Sequence, residues 1–180
     1  MRIARLTGLL LLVIVFCGCK LAASREKEAA ALLREANSML AQTTKASDEW
    51  TAEYVKAFNP PNRAKFPGNR ESLRTSADRI VTSLNESSRL SKEAIAKYEQ
   101  ANALIVNEQQ RKGTAMLTGA LKTSLRLDEL FRAQMRLVSD EKITDEKTFN
   151  DQFLQIGQQI GETARQNKAQ FEEGRRLLGM

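Results

Sequence analysis

Cysteine and carboxylate side chains are the groups in this sequence that could do chemistry, and histidine is not among them. The 180 residues contain no histidine and only two cysteines, Cys17 and Cys19. Without an imidazole the chain lacks the usual general base and a common metal ligand. Two thiols are also too few for a disulfide framework or a structural zinc site. The residue types therefore argue against histidine-dependent enzymes and against cysteine-ligated metalloproteins.

Acidic pairs occur at Glu28–Glu35, Asp140-Glu141, Asp145-Glu146 and Glu172-Glu173. Adjacent residues on a helix point to different faces, so such pairs do not converge on a substrate. Serine and threonine are plentiful, but a nucleophile needs a neighbouring base, and no glycine-rich phosphate loop occurs. We predict that the protein is not an enzyme and needs no cofactor or metal. A hydrolase with an unrecognised site is the remaining enzymatic alternative.

The first 18 residues have the pattern of a secretory signal. Arg2 and Arg5 precede an uncharged stretch of about 13 residues, which is continuously apolar over residues 9–16. A membrane-spanning helix needs ~20 apolar residues. A shorter apolar core between basic and small residues is typical of a signal peptide. The alternatives are a buried core helix and a short membrane anchor.

The end of this segment, Phe16-Cys17-Gly18-Cys19, resembles the lipobox of bacterial lipoproteins. Gly18 and Cys19 match the two strictest positions of that motif. The resemblance covers only the first 19 residues. It implies that the signal is cut between Gly18 and Cys19, that the Cys19 thiol carries a diacylglycerol, and that its new amine is acylated.

Lipid on Cys19 would make residues 19–24 a membrane-anchor segment. Each buried CH₂ of an acyl chain contributes roughly 0.8 kcal/mol, so several chains hold a protein on a bilayer without a transmembrane helix. Lys20 at the second mature position is typical of lipoproteins sorted to the outer membrane, where the protein would face the periplasm. The alternative is an ordinary signal cut after Ala22 or Ala23, which leaves a secreted protein without lipid.

The three prolines, Pro60, Pro61 and Pro67, all lie within residues 59–69. Proline removes a backbone donor and interrupts helices, which predicts a loop over this stretch. The sequence on both sides is rich in strong helix formers and contains no alternating strand pattern. We therefore predict that residues 25–180 form one all-α domain.

The spacing of apolar residues predicts four long helices. The first predicted helix covers residues 22–58, and the second begins at Arg70. A break at Gly113 and Thr114 separates the second helix from the third. A loop over residues 139–144 precedes the last helix, which ends near Leu178. These helices are far longer than the usual mean of about 11–12 residues. They favour an elongated antiparallel bundle with coiled-coil packing, whose core includes Trp50 and Tyr54. If the second helix continues through Gly113, the bundle has three helices.

Two sets of residues are candidate contact sites. The proline loop combines Arg63, Lys65, Phe66 and Arg70 without an acid, and it could contact anionic lipid, a cell-wall polymer or an acidic protein. The alternative is a plain connection with Phe66 packed on the end of the bundle. Gly157 and Gly161 form a small-xxx-small pattern. That pattern predicts a close approach of two helices within the bundle or, alternatively, self-association or contact with a partner helix.

The charges of the chain are mixed. Removing residues 1–18 lowers the net charge from +6 to +4. Pairs four residues apart, such as Glu108–Lys112 and Asp128–Arg132, are expected to stabilise exposed helix faces. An exported chain with this distribution is not expected to bind nucleic acid.

Taken together, the lipobox-like segment and the long helices predict a membrane-anchored envelope lipoprotein that binds or spaces envelope proteins or cell-wall components. The alternative is a carrier that holds an apolar ligand or lipid in its core.

Overall fold

The structure is a computed structural model, which describes the backbone of residues 3–179 and the side chains of residues 23–179. Its elements in chain order are α1 (Ile3–Ala57), α2 (Pro60–Arg63), α3 (Arg70–Leu104), α4 (Glu108–Ser139) and α5 (Glu146–Leu178). Four of these helices are long, and the described backbone contains no strand. The prediction of an all-α bundle is confirmed, and the bundle has four long helices.

The start of the first helix was predicted at residue 22 and is wrong, since α1 begins at Ile3. The apolar segment contains no proline, and nothing interrupts the helix between it and the charged sequence that follows. Gly18 and Cys19, the residues of the predicted cleavage and lipid site, lie outside the residues whose side chains are described.

The proline loop is not wholly irregular. Pro60 and Pro61 are the first residues of the one-turn helix α2, where a missing backbone N–H costs nothing. The Asn59 side chain caps this turn, because its Oδ1 accepts a hydrogen bond from the backbone N–H of Asn62 at 2.9 Å.

The break between the second and third long helices was predicted at Gly113 and lies instead at residues 105–107. Asn107 caps α4, since its Oδ1 accepts from the backbone N–H of Gln110 at 2.9 Å. Gly113 lies inside α4 and is buried. A Cβ at this position would lie 2.7 Å from Cγ of Leu178. The glycine therefore allows the end of α5 to approach α4 closely and does not end a helix.

The last helix agrees with the prediction to within about a turn. Asp145 caps α5, with its Oδ1 accepting from the Thr148 N–H at 2.9 Å. The helix ends at Leu178, and Gly179 adopts a left-handed conformation with φ of 69°. Glycine is favoured at this position because it has no Cβ to clash.

The long helices pack in chain order, α1 on α3, α3 on α4 and α4 on α5. Short connections make each of these neighbours antiparallel. The bundle therefore has a proline end, which holds residues 58–69 and 140–145, and a turn end, which holds residues 105–107. Arg25 lies at the turn end, where its Nη2 donates to the Ala103 carbonyl at 3.3 Å. At 1.5 Å per residue the two ends lie about 50 Å apart.

The core consists of two apolar clusters. The cluster at the proline end contains Trp50, Phe58, Phe66, Leu73, Ala77, Ile80, Leu84, Met135, Val138, Ile143, Phe149 and Phe153, with Tyr54 packed against it. The cluster at the turn end is smaller and contains Ala36, Ala94, Ile95, Tyr98, Leu117 and Leu121. The prediction that Trp50 and Tyr54 belong to the core is confirmed.

A polar layer separates the two clusters on all four long helices. Its members are Thr43, Ser47, Ser87, Ser88, Ser91, Ser124, Asp128, Thr163 and Asn167. The hydroxyls of Ser47 and Ser87 lie 3.4 Å apart and link α1 to α3. Asn167 Nδ2 donates to the Ser124 hydroxyl at 3.0 Å and links α5 to α4. Hydrogen bonds thus link neighbouring helices at three points in this layer, whereas apolar contacts fill the two clusters.

Close helix packing at Gly174 provides a test of this arrangement. A Cβ on Gly174 would lie 2.8 Å from Leu117 Cδ2 and 3.1 Å from the Leu117 backbone nitrogen. Gly174→Ala should therefore lower the free energy of unfolding by about 1–3 kcal/mol, as overpacked cores do. The measurement is urea unfolding followed by far-UV circular dichroism.

Gly161→Ala is the matched control, because no atom lies within 4 Å of a Cβ at that position. This variant should gain about 0.5–1 kcal/mol from its higher helix propensity. Equal stabilisation by both variants would show that α4 and α5 do not approach closely at Gly174.

Candidate functional site

Asp128 lies in the polar layer between α3 and α4 and is 5% exposed. The Ser88 hydroxyl donates to Asp128 Oδ2 at 2.6 Å. Arg132 Nη2 in turn donates to the Ser88 hydroxyl oxygen at 2.7 Å. A chain of hydrogen bonds therefore runs from a buried carboxyl group, through a serine, to a guanidinium group at the surface of the bundle.

Arg132 is held in one position by several acceptors. Its side chain is 15% exposed, and it forms an ion pair with Glu129 at 2.8 Å. The same guanidinium group donates to the Leu84 carbonyl at 3.1 Å and to Asn85 Oδ1 at 3.2 Å.

The predicted surface pair of Asp128 with Arg132 is wrong, because Asp128 turns towards Ser88. The predicted pair of Glu108 with Lys112 is confirmed at 2.8 Å.

Burial raises the pKa of Asp128 to about 6. The hydrogen bond from Ser88 and the positive charge of Arg132 both lower the pKa, but desolvation outweighs them. A carboxyl group that titrates near pH 6 changes its charge within the physiological range. Carboxyl groups with this property are enriched in functional sites, although buried structural networks also produce them.

A cleft of about 660 Å³ lies between α3 and α4 on the outer side of this network. Its lining residues are Asn85, Ser88, Arg89, Lys92, Leu125, Arg126, Glu129 and Arg132. Four of them are cationic and only Glu129 is anionic. Ser88 and Arg132 belong both to the cleft and to the hydrogen-bonded chain, so a ligand in the cleft would contact the network that holds Asp128.

A second depression follows the side of the bundle between α1 and α5, which do not pack against each other along their length. At the proline end these helices are joined by the Phe153 ring, whose centroid lies 6.2 Å from that of Tyr54 and 5.6 Å from that of Phe58. Towards the turn end they border a groove of about 380 Å³. We call it the α1–α5 groove, and it is lined by Asn37, Leu40, Ala41, Thr44, Leu117, Phe171 and Arg175.

The predicted contact residues of the proline loop mostly have partners within the bundle. Phe66 is 3% exposed and stacks on Phe149 with the ring centroids 4.3 Å apart. Arg70 lies over the Phe66 ring and donates to a carbonyl of the α4–α5 connection. Of the two interpretations of this loop, the structure has the one in which Phe66 packs on the end of the bundle.

The two other cations of the loop differ in exposure. The Arg63 guanidinium lies 4.7 Å from the Phe153 ring centroid and donates to Asn150 Oδ1 at 3.0 Å. Lys65 is exposed. Lys65 is therefore the residue of the predicted set that is free to meet a partner, and the two arginines hold the loop against the bundle.

Gly157 and Gly161 lie on α5 and are both half-exposed. A Cβ on Gly157 would lie 3.4 Å from Gln134 Nε2, and nothing lies within 4 Å at Gly161. The prediction that this pair marks a close approach of two helices is wrong at Gly161. The close approaches occur at Gly113 and Gly174, which no small-residue pattern in the sequence indicated.

Comparisons with known proteins give no family for this chain: no family model, curated protein or solved structure matches it. Within residues 23–179, no group of three or more cysteine or acidic side chains could hold a metal ion. Within residues 23–179, no helix has an apolar stretch long enough to cross a bilayer.

The buried carboxyl group predicts a pH dependence of stability. Folding raises the pKa of Asp128, so the folded state favours the protonated form, and its stability falls as the pH rises from about 4 to above 6. Asp128→Asn removes the titrating group and keeps an acceptor for Ser88. Relative to the unsubstituted protein, the variant should gain roughly 2 kcal/mol in free energy of unfolding between pH 4 and pH 7.5.

Urea unfolding at a series of pH values measures this difference. Asp78→Asn, at an exposed position on α3, is the matched control and should show no comparable gain. A stability difference for Asp128→Asn that stays constant with pH would contradict the burial of a titrating carboxyl group at this position.

Proposed function

We propose that this protein is a bacterial envelope lipoprotein, held on the membrane by lipid on Cys19, whose helical bundle binds or spaces other envelope components. The observation that supports the proposal is the continuity of α1, which runs as one helix from Ile3 to Ala57. The lipobox-like residues and the first helix of the bundle thus belong to the same element. Cleavage before Cys19 would leave a short helical stem between the lipid and the bundle.

The fold would orient the bundle relative to the membrane. Arg25 lies at the turn end, where it donates a hydrogen bond to the Ala103 carbonyl. Along a helix, Cys19 would lie about 9 Å before Arg25. The turn end would therefore face the bilayer, and the proline end would stand about 60 Å from the lipid. Such a shape suits a protein that reaches from the outer membrane into the periplasm.

The far end offers apolar surface to a partner. Val55 on α1 is 63% exposed and Leu154 on α5 is 53% exposed, and both lie towards the proline end. Their position and the exposed Lys65 favour a protein or a cell-wall component as partner over the lipid of the anchoring membrane.

The anchor is tested by comparing the two cysteines. Cys19→Ala should remove the lipid mass from the protein, because the thiol that would carry the diacylglycerol is absent. Cys17→Ala is the matched control, since this residue leaves with the signal and the variant should stay lipidated. Lipid mass on Cys19→Ala would overturn the proposed anchor, as would lipidation that depends on Cys17.

A carrier of an apolar ligand is the second candidate function, and the α1–α5 groove supports it. Leu40, Leu117 and Phe171 give this groove an apolar floor, and Arg175 lies at its border. The groove volume falls within the range of about 300–1,000 Å³ that small-molecule sites occupy. An acyl chain with an anionic head matches this combination of surfaces.

Native mass spectrometry of the protein purified from cells should then show a bound lipid in addition to the covalent one. Ala41→Trp places a large side chain in the groove and should remove that lipid. Ala52→Trp, at an exposed position of the same helix outside the groove, should leave it bound. Absence of any noncovalent lipid in the unsubstituted protein would favour the first proposal, in which the bundle binds or spaces other envelope components.

A further inference from the structure

The cleft between α3 and α4 is lined by four cationic side chains, and two of them have no ion-pair partner among residues 23–179. Arg89 forms ion pairs with Glu86 at 2.6 Å and Glu93 at 2.5 Å. Arg132 is paired with Glu129. For Lys92 and Arg126, no carboxylate of residues 23–179 lies within ion-pair distance. The cleft therefore has two cations without a direct ion-pair partner in this part of the chain, Lys92 on the α3 wall and Arg126 on the α4 wall.

The cleft also holds polar groups in position for a ligand. Arg132 is fixed by four acceptors and lines the cleft. Asn85 lines it too, and its Oδ1 accepts from Arg132, which leaves the amide N–H groups of Asn85 as free donors. Leu125 supplies an apolar patch on the α4 wall. Fixed donors next to flexible cations are suited to an oxyanion, because charge-assisted hydrogen bonds are the strong ones.

We propose that this cleft binds a small molecule that carries a phosphomonoester. A phosphomonoester has a charge of about −1.5 to −2 at neutral pH, which matches the two cations that lack a direct ion-pair partner. A phosphodiester or a single carboxylate has a charge near −1 and would leave one cation unpaired. The cleft volume of about 660 Å³ exceeds that of a lone phosphate. The remainder of the ligand therefore lies against Leu125 and the Ser88 hydroxyl.

The position of the cleft separates this site from the proposed membrane anchor. Lys92 lies on α3 about 20 Å from the turn end, measured along the helix. The phosphates of a membrane at the turn end would not reach it. The ligand is therefore soluble, and its binding does not depend on lipid at Cys19.

The experiment is calorimetric titration of the purified lipoprotein in detergent at constant ionic strength. Glycerol 3-phosphate serves as the monoester, and glycerophosphoglycerol serves as the diester that represents lipid headgroups and polymers. We expect saturable binding of one monoester per chain and at least tenfold weaker binding of the diester. Lys92→Gln and Arg126→Gln should each weaken monoester binding roughly tenfold, because each removes one charge-assisted hydrogen bond.

Matched controls remove the same charges elsewhere. Lys45→Gln on α1 and Arg74→Gln on α3 are exposed positions outside the cleft, and they should change the affinity by less than twofold. Thermal melting checks that all four variants fold. No saturable binding of the monoester, equal losses in the control variants, or a diester affinity equal to that of the monoester would each overturn the proposal.

Discussion

The stacking of Phe153 on Tyr54 and Phe58 is the interaction on which the shape of the bundle depends. It joins the first and last long helices at the proline end, although these helices are not packed against each other along their length. Phe149 and Phe66 extend the same set of rings to the proline loop. Aromatic pairs of this kind stabilise a structure beyond their buried area, typically by about 0.5–1.5 kcal/mol each. The bundle is therefore closed at one end, and on the side between α1 and α5 a groove follows towards the other end.

The polar layer explains why the core is divided into two clusters. A helix that buries serine and aspartate must satisfy them with hydrogen bonds, because an unpaired buried polar group costs about 1–3 kcal/mol. Ser88 and Arg132 do this for Asp128. The hydrogen bonds between helices in this layer also define their register, since a shift of one turn would place these groups against leucine. We infer that the layer contributes to the specificity of packing more than to its strength.

The arrangement of the ends relates the fold to its proposed location in the envelope. Lipid at Cys19, on the same helix as the first bundle residues, would leave little freedom between membrane and bundle. The two candidate ligand surfaces lie on different sides of the bundle, one between α1 and α5 and one between α3 and α4. A protein of this shape can present both while its proline end meets a partner.

Helix content, helix number and the position of the proline loop were readable from the sequence. Helix formers, the 3–4 spacing of apolar residues and the clustering of proline are local properties, and local backbone energetics decide them. The break at Gly113 was predicted wrongly because glycine has two uses that a sequence does not distinguish. It can end a helix, or it can admit a neighbouring helix at close range, as Leu178 does here.

The sequence by itself therefore determined that the described chain forms long helices joined at three places. Only the tertiary structure decided which polar residues are buried. Asp128 has the spacing of an ordinary surface pair with Arg132, and its burial follows from the way α3 packs on α4. The cleft and the groove arise in the same way, from residues distant in sequence, because the free energy of burial depends on neighbours that local pattern does not specify.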